Sequence, residues 1–178
     1  MAKVGVIMPT HGLSRHLAVA VKSVVQQSHQ DWTLNIVCDG AAEETVKLAE
    51  RLASHDTRIR TARQARAGVA AARNRGIAML GPTPDVVAFL DHDDRWLPGT
   101  LATLTRALES SSDECVGAHG IARFIDEAGT PVRIGELEGD LRAVDLVVAA
   151  VGQRDLGIDQ GVVRQDAGFR GHADAVLH

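Results

Sequence analysis

The chain has 178 residues, 45% of them hydrophobic, with 19 basic against 23 acidic side chains and a net charge of −4. That is enough apolar material for a packed core, which argues against disorder, and the acidic balance offers no general attraction to nucleic acid and makes a basic membrane-binding surface a poor fit. No apolar run approaches the roughly 20 residues that cross a bilayer, and Cys38 and Cys115 are isolated thiols with neither disulfide density nor metal-ligand spacing, so a reducing cytoplasm is expected.

The amino terminus goes from Met1-Ala2-Lys3 directly into a strand pattern, without the apolar segment of a secretory signal. Residues 4–8 are a short apolar run closed by Pro9, and Ser14 then caps a helical face of Leu17, Val21, Val24 and Val25. Residues 33–38 are rich in Ile and Val and stop at Asp39-Gly40, after which Thr45, Leu48, Ala49 and Leu52 mark a second helix. A third strand falls at 58–61, followed beyond Gly68 by a helical pattern through Ala72, Gly76, Ile77 and Leu80 that Gly81-Pro82-Thr83-Pro84 ends. Residues 86–90 are continuously apolar, as a strand covered on both faces should be, and Pro98 opens a helix with Leu101, Leu104 and Leu108 on one side. Four strand–helix alternations predict an α/β fold with a mainly parallel sheet.

Past residue 114 the rhythm changes. Residues 115–125 read as a strand, Asp126-Glu127-Ala128-Gly129 as a hairpin turn, 131–134 as its return, and Leu141, Val144, Val148 and Val151 as one more helical face.

In a parallel sheet the loops after the strands converge at one edge. Here they bring Pro9-Thr10-His11, Asp39-Gly40, residues 66–74 and Asp91-His92-Asp93-Asp94. Three carboxylates within four positions repel one another unless a cation sits among them, and a divalent metal is the natural occupant. The bland alternatives stay open: Asp39 as plain turn chemistry, Asp94 as a cap for the following helix, Arg73 as the partner of a surface acid, and Trp96 as packing rather than a sugar platform. His11 and His92 lie beside this edge but are not proposed as metal ligands.

Five segments, Val4-Gly5-Val6-Ile7-Met8-Pro9-Thr10, Val24-Val25-Gln26-Gln27-Ser28, Ile36-Val37-Cys38-Asp39-Gly40, Gly68-Val69-Ala70-Ala71-Ala72-Arg73-Asn74-Arg75-Gly76 and Phe89-Leu90-Asp91-His92-Asp93-Asp94-Arg95-Trp96-Leu97-Pro98-Gly99, come in the order and spacing of one family. The chain resembles a family 2 glycosyltransferase of the GT-A fold, a Rossmann-like sheet flanked by helices with a small irregular or antiparallel C-terminal part. The resemblance implies an inverting, nucleotide-sugar-dependent enzyme. Residues 1–113 would be the donor-binding half, ending in the helix after Asp-x-Asp, and 114–178 a short, partial acceptor-side half. It implies that Thr10 lines the base pocket, that Asp39 accepts from a uracil ring, and that Gly68 and Arg73 approach base and phosphates. Asp91 would meet the ribose, and Asp91 and Asp93 would hold Mn²⁺ or Mg²⁺ on the diphosphate.

Its partners would be a nucleotide sugar, with a UDP-sugar favoured, and a saccharide, lipid-linked or other hydroxyl acceptor. No nucleic acid and no membrane span are expected, peripheral contact with the inner face of the membrane is compatible, and a homo-oligomer is left open. The family's pattern is broken at Cys38, where an acid is frequent, at Ala41-Ala42, which replaces a Ser-containing turn, and at Arg66, where Asn is common. Gly168-Phe169 resembles the landmark that precedes the catalytic base, which makes Asp174 the candidate base. A non-catalytic nucleotide-binding module and a nucleotidyltransferase are the alternatives. The latter wants a Gly-rich basic loop after the first strand, and Pro9-Thr10-His11-Gly12 lacks it. A receiver domain wants a late lysine, and none follows Lys47.

Overall fold

A computed structural model describes residues 2–81, 84–112, 115, 117–120, 125 and 151–152. Strand and helix alternate along it as β1 (Val4–Gly12), α1 (Leu17–Val25), β2 (Trp32–Ala41), α2 (Glu43–His55), β3 (Ile59–Gln64), α3 (Val69–Ala78), β4 (Val86–Phe89) and α4 (Thr100–Glu109), with a short β5 (Val151–Gly152). The sheet order is β3-β2-β1-β4-β5, with β1 to β4 parallel and β5 antiparallel to β4. Chain order therefore runs outward from β1 to β3 and then jumps back across β1 to β4, so a topological switch point opens between the carboxyl ends of β1 and β4.

The central strands are apolar on both faces because helices cover both. Val4, Val6, Ile7 and Met8 of β1 and Leu34, Ile36 and Val37 of β2 are fully buried. One side packs with Leu17, Val21 and Val24 of α1, Ala49 of α2, and Leu101 and Leu104 of α4. The other side receives α3 at close range, because a side chain on Gly76 would collide with Ile7, and Asn35 Nδ2 donates to the Gly76 carbonyl across 2.9 Å. That contact seats α3 against the β1–β2 strand pair.

Several boundaries move for identifiable reasons. Pro9 does not end β1. The β1–β4 ladder stops at Ile7↔Phe89, with Leu90 N–H reaching the Ile7 carbonyl, so the donor that Pro9 lacks would face a strand that has already turned away. Pairing with β2 meanwhile continues through Thr10↔Cys38. β2 likewise runs past Asp39-Gly40 to Ala41. Ser14 Oγ accepts from Leu17 N–H at 3.1 Å, so it satisfies the first turn of α1 from outside the helix. The helix expected from Pro98 starts at Thr100 instead. Val151, read as part of a helical face, pairs as strand β5 with Val87. Of the 115–125 strand, His119 and Ile125 appear as isolated bridge residues and Ala118 joins the core. The turn at 126–129, its return at 131–134, the remaining helical face at 141–148, Gly168-Phe169 and Asp174 lie outside the described residues.

Candidate active site

Two anchors fix the loop that carries the acids after β4. Gln27, two residues past the end of α1 and 1% exposed, donates to the Ser23 and Leu97 carbonyls and accepts from Leu101 N–H at 2.9 Å. Trp96 is buried against the core, and its backbone N–H donates to Ser23 Oγ. With its ring spent on packing, Trp96 is not a sugar platform, which decides between the two roles open to it. The loop is thus pinned downstream, and Asp91, His92 and Asp93 stand at the upper edge beside the end of β1.

There the lining residues enclose a cleft of about 340 Å³: Pro9, Thr10 and His11 from β1, Asp39 from β2, Arg66, Gly68, Val69 and Ala72 from the β3–α3 region, and Asp91, His92 and Asp93 after β4. This is the switch-point crevice that the topology dictates. Of the candidates read from sequence, Thr10, Asp39, Gly68, Asp91 and Asp93 share its wall, and Arg73 stands behind it.

At one end, Asp39 is buried and almost saturated. Its Oδ1 accepts from Gln64 Nε2 at 2.9 Å and Ala67 N–H at 2.7 Å, and its Oδ2 accepts from Gly68 N–H at 2.9 Å. These contacts also satisfy backbone donors at the start of α3, whose own cap residue, Gly68, has no side chain to do so. Burial pushes the Asp39 carboxyl upward, but the Gln64, Ala67 and Gly68 hydrogen bonds and the Arg66 charge outweigh it and hold it below its usual value. Gln64 is a site residue that the sequence does not announce. Its signal was faint, a polar residue closing a strand two positions before an arginine. Cys38, one residue earlier, is fully buried, and burial pushes its thiol upward, so it acts as an uncharged packing group.

Thr10 is 1% exposed, and its Oγ1 has no hydrogen-bond partner. A buried hydroxyl without a partner costs stability, and the residue that carries it lines the cleft.

At the other end the acids gather. Arg73 Nη2 meets Asp91 Oδ1 at 3.1 Å, its guanidinium lies 5.3 Å from the Phe89 ring centre, and its buried Nε has no partner. Arg73 therefore does pair with an acid, and that acid is Asp91 itself. Asp94 N–H closes a turn onto the Asp91 carbonyl, and α4 is led in by Gly99, so Asp94 is not the cap residue of α4. Burial first, then the charges of Asp93 and Asp91, push the Asp94 carboxyl up to about 6. His11 and His92 meet edge to face with ring centres 5.2 Å apart at the cleft edge.

Carboxylate oxygens are the hard donors that Mg²⁺ and Mn²⁺ prefer. Among the described residues no three His, Cys, Asp or Glu side chains converge to hold a metal alone. Asp93, together with the Asp91 oxygen not used by Arg73, can supply part of a coordination shell, and phosphate oxygens or water would have to supply the rest. This carboxylate donor set fits such an ion.

The family model described as glycosyl transferase family 2 matches residues 5–147. The chain belongs to this family. Among curated relatives, an uncharacterized glycosyltransferase of Nostoc sp., alr2836, is 33% identical over 134 residues, covering 72% of this chain and 41% of the relative. The uncharacterized glycosyltransferase YibD of Escherichia coli is 34% identical over 112 residues, covering 62% of this chain and 32% of the relative. The chain thus spans less than half the length of these family members. Among solved structures, Staphylococcus aureus TarS 1–349 in complex with UDP-GlcNAc superposes with a TM-score of 0.54 at 19% identity, covering 60% of this chain and 31% of that one. The mannosyltransferase PcManGT of Pyrobaculum calidifontis, in complex with GDP-Man and Mn²⁺, gives 0.56 at 23%, covering 69% and 36%. At these identities the likeness establishes the GT-A fold. No helix among the described residues is long and apolar enough to cross a membrane.

Proposed function

We propose that this chain carries the donor half of a glycosyltransferase that moves a sugar from a nucleotide sugar, with a UDP-sugar favoured, to an acceptor hydroxyl with inversion, using Mn²⁺ or Mg²⁺. The observation that carries the reading is the single cleft lined by Thr10, Asp39, Asp91 and Asp93 at the β1–β4 switch point. Its two ends suit the two ends of such a donor. A carboxylate has about four lone-pair positions, and three of those on Asp39 are occupied, which leaves one acceptor facing a base. Uracil offers one imide N–H flanked by two carbonyls, whereas guanine offers adjacent N–H and NH₂ donors. Thr10 Oγ1 has no partner within the protein and would donate to one of those carbonyls. The count therefore supports uracil over guanine.

Toward the diphosphate, Asp93 and the free oxygen of Asp91 are the residues that would hold the dication, while Arg73 keeps Asp91 oriented. When bound, such an ion neutralises the diphosphate and stabilises it as it leaves. The Mn²⁺ reported with the Pyrobaculum protein and the nucleotide sugars in both neighbours go with this assignment. Asp174 is our candidate for the base that takes the acceptor proton. We assign residues 1–113 to donor binding and 114–178 to part of the acceptor side, in a cytoplasmic protein with peripheral contact to the inner face of the membrane.

Calorimetry with UDP, dTDP and GDP, each with and without Mn²⁺, tests the donor reading. Metal-dependent binding with UDP at least tenfold tighter than GDP is expected. Equal affinity for UDP and GDP would refute the base assignment. Asp174→Asn should abolish sugar transfer while leaving UDP affinity unchanged, and transfer that survives it would remove Asp174 from the mechanism.

A further inference from the structure

The segment between β3 and α3 is wrapped around the Asp39 carboxylate. Gln64, Ala67 and Gly68 each donate to it, and Arg66 sits at the apex of the wrap. The backbone of Arg66 is pressed onto the turn after Asp39. Gly40 has φ +63°, and a side-chain carbon added there would lie 2.7 Å from Arg66 Cβ and 3.2 Å from its Cα. The root of Arg66 is thus fixed from two sides, while its side chain is exposed and reaches the cleft wall.

Among the described residues that line the cleft, Arg66 is the one arginine or lysine, set against Asp39, Asp91 and Asp93. Its neighbours place it at the Asp39 end, away from the acids after β4. A guanidinium is planar and weakly hydrated, and it stacks on π faces as readily as it pairs with anions. We propose that Arg66 covers the nucleobase of the donor, lying flat against the ring while Asp39 and Thr10 read its edge. This rests on the donor reading above. It makes Arg66 a base-affinity residue, where electrostatics alone would aim an arginine at the diphosphate.

The test uses calorimetry of the whole chain with UDP and with inorganic pyrophosphate, each with Mn²⁺, for the native protein, Arg66→Ala and Arg66→Lys. Arg66 is exposed, so both variants should fold, and unchanged melting temperatures check this. Arg66→Ala should weaken UDP by roughly 3- to 30-fold, the range of an arginine–ring contact, and leave pyrophosphate within about twofold. Arg66→Lys should recover only part of the loss, because an ammonium has no planar face. Equal weakening of UDP and pyrophosphate would place Arg66 on the phosphates and overturn the assignment, as would unchanged UDP affinity or full recovery with lysine. If the native protein binds UDP no better than pyrophosphate, the donor reading fails, and this inference with it.

Discussion

The two ends of the cleft are built on opposite electrostatic plans. At the Asp39 end the protein has satisfied its own acid with three hydrogen bonds and a nearby guanidinium, and the carboxyl sits below its usual value. At the Asp91 end three acids crowd together, Arg73 pairs with Asp91, and Asp94 is pushed up to about 6. One end is nearly satisfied by the protein itself, and in the proposed function it would offer one remaining acceptor of Asp39 beside the unpartnered Thr10 hydroxyl. The other is held in a repulsive arrangement that a ligand-borne cation would relieve. On the function proposed above, recognition and charge neutralisation would be separated along one crevice, and changes at the two ends should have opposite consequences for the free protein.

The largest expected effect is at the satisfied end. Asp39→Ala strips an acceptor from Gln64, Ala67 and Gly68 together and should lower folding stability by about 2–4 kcal/mol in urea denaturation, loosening the start of α3. Next comes Asp93→Ala, which should weaken UDP in the presence of Mn²⁺ by about ten- to a hundredfold and leave stability unchanged or slightly raised, since it removes a repelling charge. A loss of stability comparable to that of Asp39→Ala would erase the contrast between the ends.

Titration sharpens the contrast, because the two acids move in opposite directions. Asp39 has a depressed folded value, so its contribution is present above its unfolded value near 3.8 and is lost as pH falls through the folded one. Asp94 has a raised folded value, so its contribution is greatest below 3.8 and is lost as pH rises toward about 6. Melting temperatures recorded from pH 4 to 7 should therefore carry a downward component that Asp94→Asn abolishes, with the variant more stable than the native chain at pH 7. A variant that keeps the same pH profile would remove Asp94 from the acid cluster. Smallest is Thr10→Val, which deletes a buried hydroxyl without a partner: we expect a gain of up to about 1 kcal/mol in the nucleotide-free protein and weaker UDP binding. Lost stability would mean that the hydroxyl already has a structural partner.

Much of this was legible in the residues. Continuous apolar runs at 4–8 and 86–90 and helical spacing in Leu101 and Leu104 were enough to predict the parallel sheet and its order of elements, since burial on both faces leaves that signature. The acids after β4 and Asp39 could be placed on one edge because parallel strands deliver their loops to one side. What could not be read depended on long-range neighbours. Pro9 looks like a terminator until β4 is seen to have left the ladder at Phe89. Gln64 looks like an ordinary strand end until Asp39 is found beside it, 25 residues earlier. Trp96 was undecided between ligand and core until Ser23, 73 residues away, proved to hold its backbone. Asp94 reads equally well as a solvated loop acid, a helix cap or a member of the acid cluster until its N–H is seen to turn back onto Asp91 and Gly99 to lead in α4.

In the proposed function the acid end takes up its dication together with the diphosphate. Electron paramagnetic resonance of Mn²⁺ titrated into the protein, with and without UDP, tests it most directly. About one bound Mn²⁺ per chain is expected when UDP is present, with much weaker binding without it and loss of that bound ion in Asp93→Asn. UDP binding that is equally tight in the presence of a chelator, or Mn²⁺ held as firmly by Asp93→Asn as by the native chain, would contradict it.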